Sequence, residues 1–172
     1  MQFDRRHAAG LCALLAAMIF SAPLSAEGLK DPSESPILVM AGNITKTNKG
    51  QRALLDRPML ETMSGTKIKT QTPWYAGEVE FEGISFPRLL KELGATGEKL
   101  VITALDDYSV ELLIEDLTKN EAILAMKRDG KYLSVSDKGP LFVVYPYDSK
   151  PELRNEKYYT KSIWQVRRIE VR

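Results

Sequence analysis

One histidine and one cysteine occur in the 172 residues, His7 and Cys12, and both stand near the start. If that start is removed, the remaining chain has no thiol nucleophile, no Ser-His-Asp triad, no disulfide and no zinc site of the His/Cys type. The chemistry left to it is that of carboxylates, lysines, tyrosines and hydroxyls.

Residues 1–26 read as an export signal. Asp4-Arg5-Arg6 form a charged start, Leu11 to Phe20 an apolar run too short to span a bilayer, and Ser21 to Ala26 a small-residue exit. A general secretory signal is favoured over a twin-arginine one, because His7-Ala8-Ala9 lack the apolar follow-up. Cys12 lies inside the apolar run and does not sit at a lipidation site. Cleavage after Ala26 leaves 146 residues with 22 basic and 22 acidic side chains, and no His or Cys. A periplasmic protein, not embedded in the membrane after processing, is the expected product.

Over the whole chain, 24 Lys and Arg balance 23 Asp and Glu, and 44% of residues are hydrophobic. That composition describes one ordinary folded domain and gives no field that would favour nucleic acid. Glu27 to Pro36 is polar and without periodicity, which predicts a flexible leader; residues 37–172 form the domain.

Ile37 to Met40 predicts a buried strand, and Asp56-Arg57-Pro58 opens a helical turn ending at Ser64-Gly65. Lys67 to Thr72 and Glu78 to Glu82 alternate as strands do. Ser85 to Leu93 carries an N-cap serine, an early proline, a leucine stripe and an exit glycine, the marks of a core-facing helix. Strands follow at Leu100–Leu105, Tyr108–Ile114, Ala122–Lys127, Leu141–Tyr145 and Ser162–Val171, with a turn at Asp129-Gly130. The fold class is α+β, a β-rich mixed sheet or barrel-like core with two or three short helices.

Several strings stand in a telling order: Thr72-Pro73-Trp74, Ala104-Leu105-Asp106-Asp107-Tyr108, Asp129-Gly130-Lys131, Asp137-Lys138-Gly139-Pro140-Leu141, Tyr145-Pro146 and Ser162-Ile163-Trp164-Gln165. In that order they resemble the molybdopterin-binding domain of the sulfite oxidase superfamily. They are most similar to its small exported members without cysteine, over roughly residues 37 to 171. The resemblance implies a mixed α+β domain with a three-layer, β-rich core. In the large enzymes a pterin dithiolene holds molybdenum and a cysteine thiolate completes its coordination. The processed chain lacks that thiolate, so no molybdenum, no other metal and no redox turnover are expected.

What the resemblance leaves is a pocket for a pterin, a flat bicycle whose amino-pyrimidine edge presents hydrogen-bond donors. Trp74, Tyr75, Tyr108, Tyr145 and Trp164 are candidates to stack on it, and Asp106, Asp107 and Asp137 to accept from its edge. Lys138 and Gly139 complete the candidate set. Each has a plainer explanation. Trp164 lies in an alternating stretch that predicts a half-buried strand position, whereas Trp74 follows Pro73 in an extended loop, where a pocket role is favoured. Asp106-Asp107 and Ser136 to Pro140 suit tight turns. The chain departs from the resembling proteins at Asp106, usually Asn, at Ser136, usually Arg, and at Phe142, often Trp. With Ser136 in place of Arg, Lys138 is the cation left near the pocket.

The implied role is a pterin-binding, ligand-responsive partner of an inner-membrane signalling protein, of the kind that makes or degrades cyclic di-GMP. A structural or assembly partner without ligand, and a molybdopterin-dependent oxidoreductase, are the alternatives.

Overall fold

A computed structural model describes residues 28–172, so the export signal, His7 and Cys12 lie outside the described residues. In chain order come β1 (Leu38–Gly42), β2 (Ala53–Leu55), α1 (Arg57–Met63), β3 (Thr66–Thr72), β4 (Tyr75–Ser85), α2 (Phe86–Glu92) and β5 (Lys99–Ala104). Then follow β6 (Ser109–Leu113), α3 (Ile114–Lys119), β7 (Ile123–Arg128), β8 (Lys131–Tyr132), β9 (Phe142–Val144), α4 (Glu156–Lys161) and β10 (Val166–Val171). The result is the expected strand-rich α+β protein.

Two sheets divide the strands. One runs β2-β1-β10-β5-β6, antiparallel except for the β1–β10 pair, and the other β3-β4-β7-β8, with β9 also pairing with β7. The main core gathers Leu38, Met40, Ile102, Val166 and Ile169 from the first sheet, and Phe86, Leu89 and Leu90 from α2. Each such fully buried side chain is worth about 1.5–3 kcal/mol. A smaller cluster contains Ile68, Phe81, Phe142 and Val144. β7 feeds both, Leu124 and Met126 to the larger and Ile123 and Ala125 to the smaller. Burial on both faces explains why its sequence is a continuous apolar run.

Local signals are obeyed where they are strong. Asp56 caps α1, its carboxylate accepting from the Met59 N–H at 3.0 Å. The other carboxylate oxygen accepts from the Ser33 N–H, the Ser33 hydroxyl and the Glu34 N–H at 2.6, 2.9 and 2.9 Å. Burial raises the Asp56 pKa, but the four donors outweigh it and hold the carboxyl below its usual range. Ser33 and Glu34, within the expected leader, thus bond to the start of α1.

β2, α3 and α4 are elements that the sequence pattern did not predict. Both helices have six residues, too few for an apolar period to register. Their signals are electrical: Glu115 and Asp116 in the first turn of α3 with Lys119 in the last, and Glu156 and Lys161 in α4. The last strand starts at Val166 and not at Ser162, so Trp164 sits in a loop.

Candidate functional site

Pro73 and Trp74 form the two-residue turn between β3 and β4, with Thr72 opposite Tyr75. That turn carries Trp74 into a group of rings. Its indole lies edge-on to Phe142 (5.4 Å between centroids), Trp164 (5.8 Å), Tyr159 (6.0 Å) and Tyr147 (6.5 Å). Edge-to-face pairs of this kind add about 0.5–1.5 kcal/mol each beyond their buried area.

The loop bearing Trp164 is laced to its neighbours through Gln165. The Gln165 N–H donates to the Lys138 carbonyl at 3.0 Å, its carbonyl accepts from the Leu105 N–H at 2.9 Å, and its side-chain amide donates to the Val135 carbonyl at 2.7 Å. Gln165, Lys138 and Asp107 all have left-handed backbones, with φ of 52°, 63° and 67°. Such a conformation costs a non-glycine residue about 1–2 kcal/mol, and three instances gathered at these loops fit the tendency of strain to collect at functional sites. Gly139 serves the same turn: a Cβ there would come within 2.1 Å of the Leu133 carbonyl oxygen.

Between these loops and α4 lies a cavity of 420 Å³, within the range of small-ligand sites. Trp74, Trp164, Tyr108 and Tyr159 supply rings, Asp106 and Glu156 carboxylates, and Thr160 and Ser162 hydroxyls. Trp164 is 40% exposed and Tyr108 54% exposed, so both present surface that packing does not use. Asp106 accepts from the Tyr108 N–H at 3.1 Å, which orients the carboxylate and the loop together.

Of the predicted residues, Trp74, Asp106, Tyr108 and Trp164 meet at this cavity, and the half-buried strand position expected for Trp164 is corrected to an exposed loop position. Asp107 is on the same loop but does not line the cavity; its carboxylate pairs with Arg167. Asp137 borders a second cavity of 290 Å³ with Arg128, Asp129, Lys131 and Tyr132. It accepts from the Tyr75 hydroxyl at 2.9 Å and from Arg128 at 3.0 Å. Burial, then this hydrogen bond and the Asp137 charge, push the Tyr75 phenol up to about 12. Lys138 lies over Trp164, its Nζ 4.9 Å from the ring centroid, outside the lining. It is not the lone cation of the region, since Arg128 and Arg167 flank the same loops.

Tyr145 stands apart from the cavity: it is fully buried and faces Asp116. There it helps to hold α4. Asp116 also accepts from the Tyr158 hydroxyl at 3.2 Å and from Lys161 at 2.8 Å, both on α4. Burial raises the Tyr145 phenol strongly. Sequence reasoning missed Glu156, Tyr159, Thr160 and Gln165. The usable signal for the first three was the Asn155 cap, whose side chain accepts from the Tyr158 N–H.

Residues 56–171 match the family model described as oxidoreductase molybdopterin binding domain. The chain belongs to that family. Its structure is similar to the crystal structure of the sulfane dehydrogenase SoxCD from Paracoccus pantotrophus, with a TM-score of 0.58 at 16% identity. The match covers 84% of this chain and 40% of that one, so the domain spans less than half of its structural relative. At that identity the likeness is one of fold. No curated protein matches the chain in sequence.

The family implies a molybdenum-bearing pterin, and the two halves of that group fit the cavity differently. A flat ring suits the aromatic walls and the carboxylates. A metal does not find its ligand: the lining has neither sulfur nor imidazole, and among the described residues no cluster of three or more His, Cys, Asp or Glu could hold an ion. Among those residues, no helix is long and apolar enough to cross a membrane.

Proposed function

We propose that this domain binds a pterin-type planar heterocycle in the Trp74–Trp164 cavity, without redox turnover, and reports its loading to a partner protein. Membership of the family supports the pterin class. The observation that carries the reading is the lining itself, four aromatic rings with the carboxylates of Asp106 and Glu156 beside them. A ring stacked on one aromatic face gains about 1–3 kcal/mol. A carboxylate accepting from the amino-pyrimidine edge adds about 1.5–3 kcal/mol, as hydrogen bonds to charged groups do.

The partner in this reading is the exported part of an inner-membrane signalling protein, met in the periplasm. Leu105 and Val135, 42% and 54% exposed, are joined to the Trp164 loop through Gln165, which supports a route from a ligand on Trp164 to exposed apolar side chains. A switch needs only that the partner bind loaded and empty forms with different affinity.

Titration of the purified protein with reduced pterins, followed by tryptophan fluorescence, tests the binding. Saturable quenching that disappears in Trp164→Ala is the expected result; flat titrations across a panel of pterins reject it. Protein produced in a molybdenum-replete host is expected to carry no stoichiometric molybdenum by elemental analysis.

A further inference from the structure

Charge is unevenly placed around the cavity. Asp106 and Glu156 both line it, and among the described residues neither has a cationic group within 4.0 Å. The surrounding cations are engaged elsewhere. Arg167 pairs with Asp107 and donates to the Ala104 carbonyl, Lys161 pairs with Asp116, and Arg128 with Asp137. Lys138 and Lys157 rest over the rings of Trp164 and Tyr158, and neither belongs to the lining. The lining thus offers carboxylate acceptors and rings, and no Arg or Lys fork of the kind that holds a phosphate.

Resting on the pterin reading, we infer that this cavity takes the unphosphorylated form of its ligand and rejects the phosphate ester that molybdopterin itself carries. One carboxylate accepts the paired N–H donors of the amino-pyrimidine edge. The other accepts from hydroxyls on a short side chain. A phosphate monoester would bring about −1.5 to −2 charge at neutral pH against these two acids. Like charges repel by about 1 kcal/mol at 4 Å in bulk water, and by more where the site is partly dry. Because Asp106 and Glu156 are exposed at the rim, the discrimination is electrostatic and weakens with salt.

The probes are 6-hydroxymethyl-7,8-dihydropterin and its monophosphate, titrated calorimetrically into the purified protein at low and high salt. The alcohol is expected to bind at least about tenfold more tightly at low salt, equivalent to about 1.4 kcal/mol. Higher salt should narrow the ratio. Asp106→Asn combined with Glu156→Gln should bring the two probes within about threefold and also weaken the alcohol, which loses two charged acceptors but keeps its stacking. Both side chains are exposed, and circular dichroism of the double variant confirms its fold. Equal or tighter binding of the monophosphate overturns the inference and leaves the pterin reading standing. If that preference is lost in Lys138→Ala, Lys138 reaches the ligand. Binding of neither probe overturns both.

Discussion

Two groups of acids and aromatic rings lie on neighbouring loops of this domain, and they are built on opposite terms. Around Asp137, the Tyr75 hydroxyl and the Arg128 guanidinium share one carboxylate oxygen, while Arg128 also lies 4.3 Å from the centre of the Tyr75 ring. Around Asp106, the rings of Trp164 and Tyr108 stand open and the Asp106 and Glu156 carboxylates lack cationic partners among the described residues. A cluster whose groups satisfy one another is structural. One whose carboxylates face solvent without a cationic partner keeps its charge available, which is what the proposed ligand site requires.

The contrast can be broken most forcefully at Trp74, the hub of the ring cluster. Trp74→Ala is expected to cost about 3 kcal/mol of stability, read by chemical denaturation, and to abolish ligand quenching; full retention of stability would show that the ring contacts are incidental. Asp56 offers a third carboxylate, satisfied like Asp137. Asp56→Ala should cost about 2 kcal/mol by removing a helix cap and orphaning the Ser33 and Glu34 donors.

The pH dependence of that tether has a definite sign. The folded carboxyl is held below its ordinary value of 3.8, so its contribution is complete above that value and lost as the pH falls through the lower folded one. Urea midpoints of the native protein and of Asp56→Asn should therefore converge on going from about pH 7 to about pH 3.

Trp164→Ala sharpens the comparison from the other side. It is expected to weaken pterin binding at least about tenfold through lost stacking, while costing about 1–2 kcal/mol of stability, less than Trp74→Ala, because the ring is already 40% exposed but packs edge-on to Trp74 and Phe142. The smallest effect belongs to Asp137→Asn, which removes a charge and weakens a hydrogen bond. Ultraviolet titration should show the Tyr75 phenol, raised to about 12, falling part of the way back towards 10.0 while burial still holds it up. This pair stabilises the fold fully below the ordinary tyrosine range, and the gain is lost as pH rises through the folded value. Pterin affinity should not move.

What could be read in the sequence follows the range of the forces involved. Asp129-Gly130 demanded a tight hairpin, and both residues have positive φ, 48° and 75°, in the turn joining β7 to β8. The caps and prolines of α1 and α2 were equally local. The cavity is not local: Trp74, Asp106, Tyr159 and Trp164 come from four separate loops or helices, and only strand pairing brings them together. The family-like strings marked three of these and passed over Tyr159, because α4 is too short to show periodicity. They also marked Tyr145, although the apolar run of β9 before it already spoke for the core.

Leu38–Gly42 and Val166–Val171 are adjacent and parallel, with the latter at the middle of its sheet. During synthesis the early strand must wait for a neighbour that leaves the ribosome only after all the other elements. Until then β1 and β5 keep open hydrogen-bonding edges. This sheet therefore cannot be completed before its central strand is available.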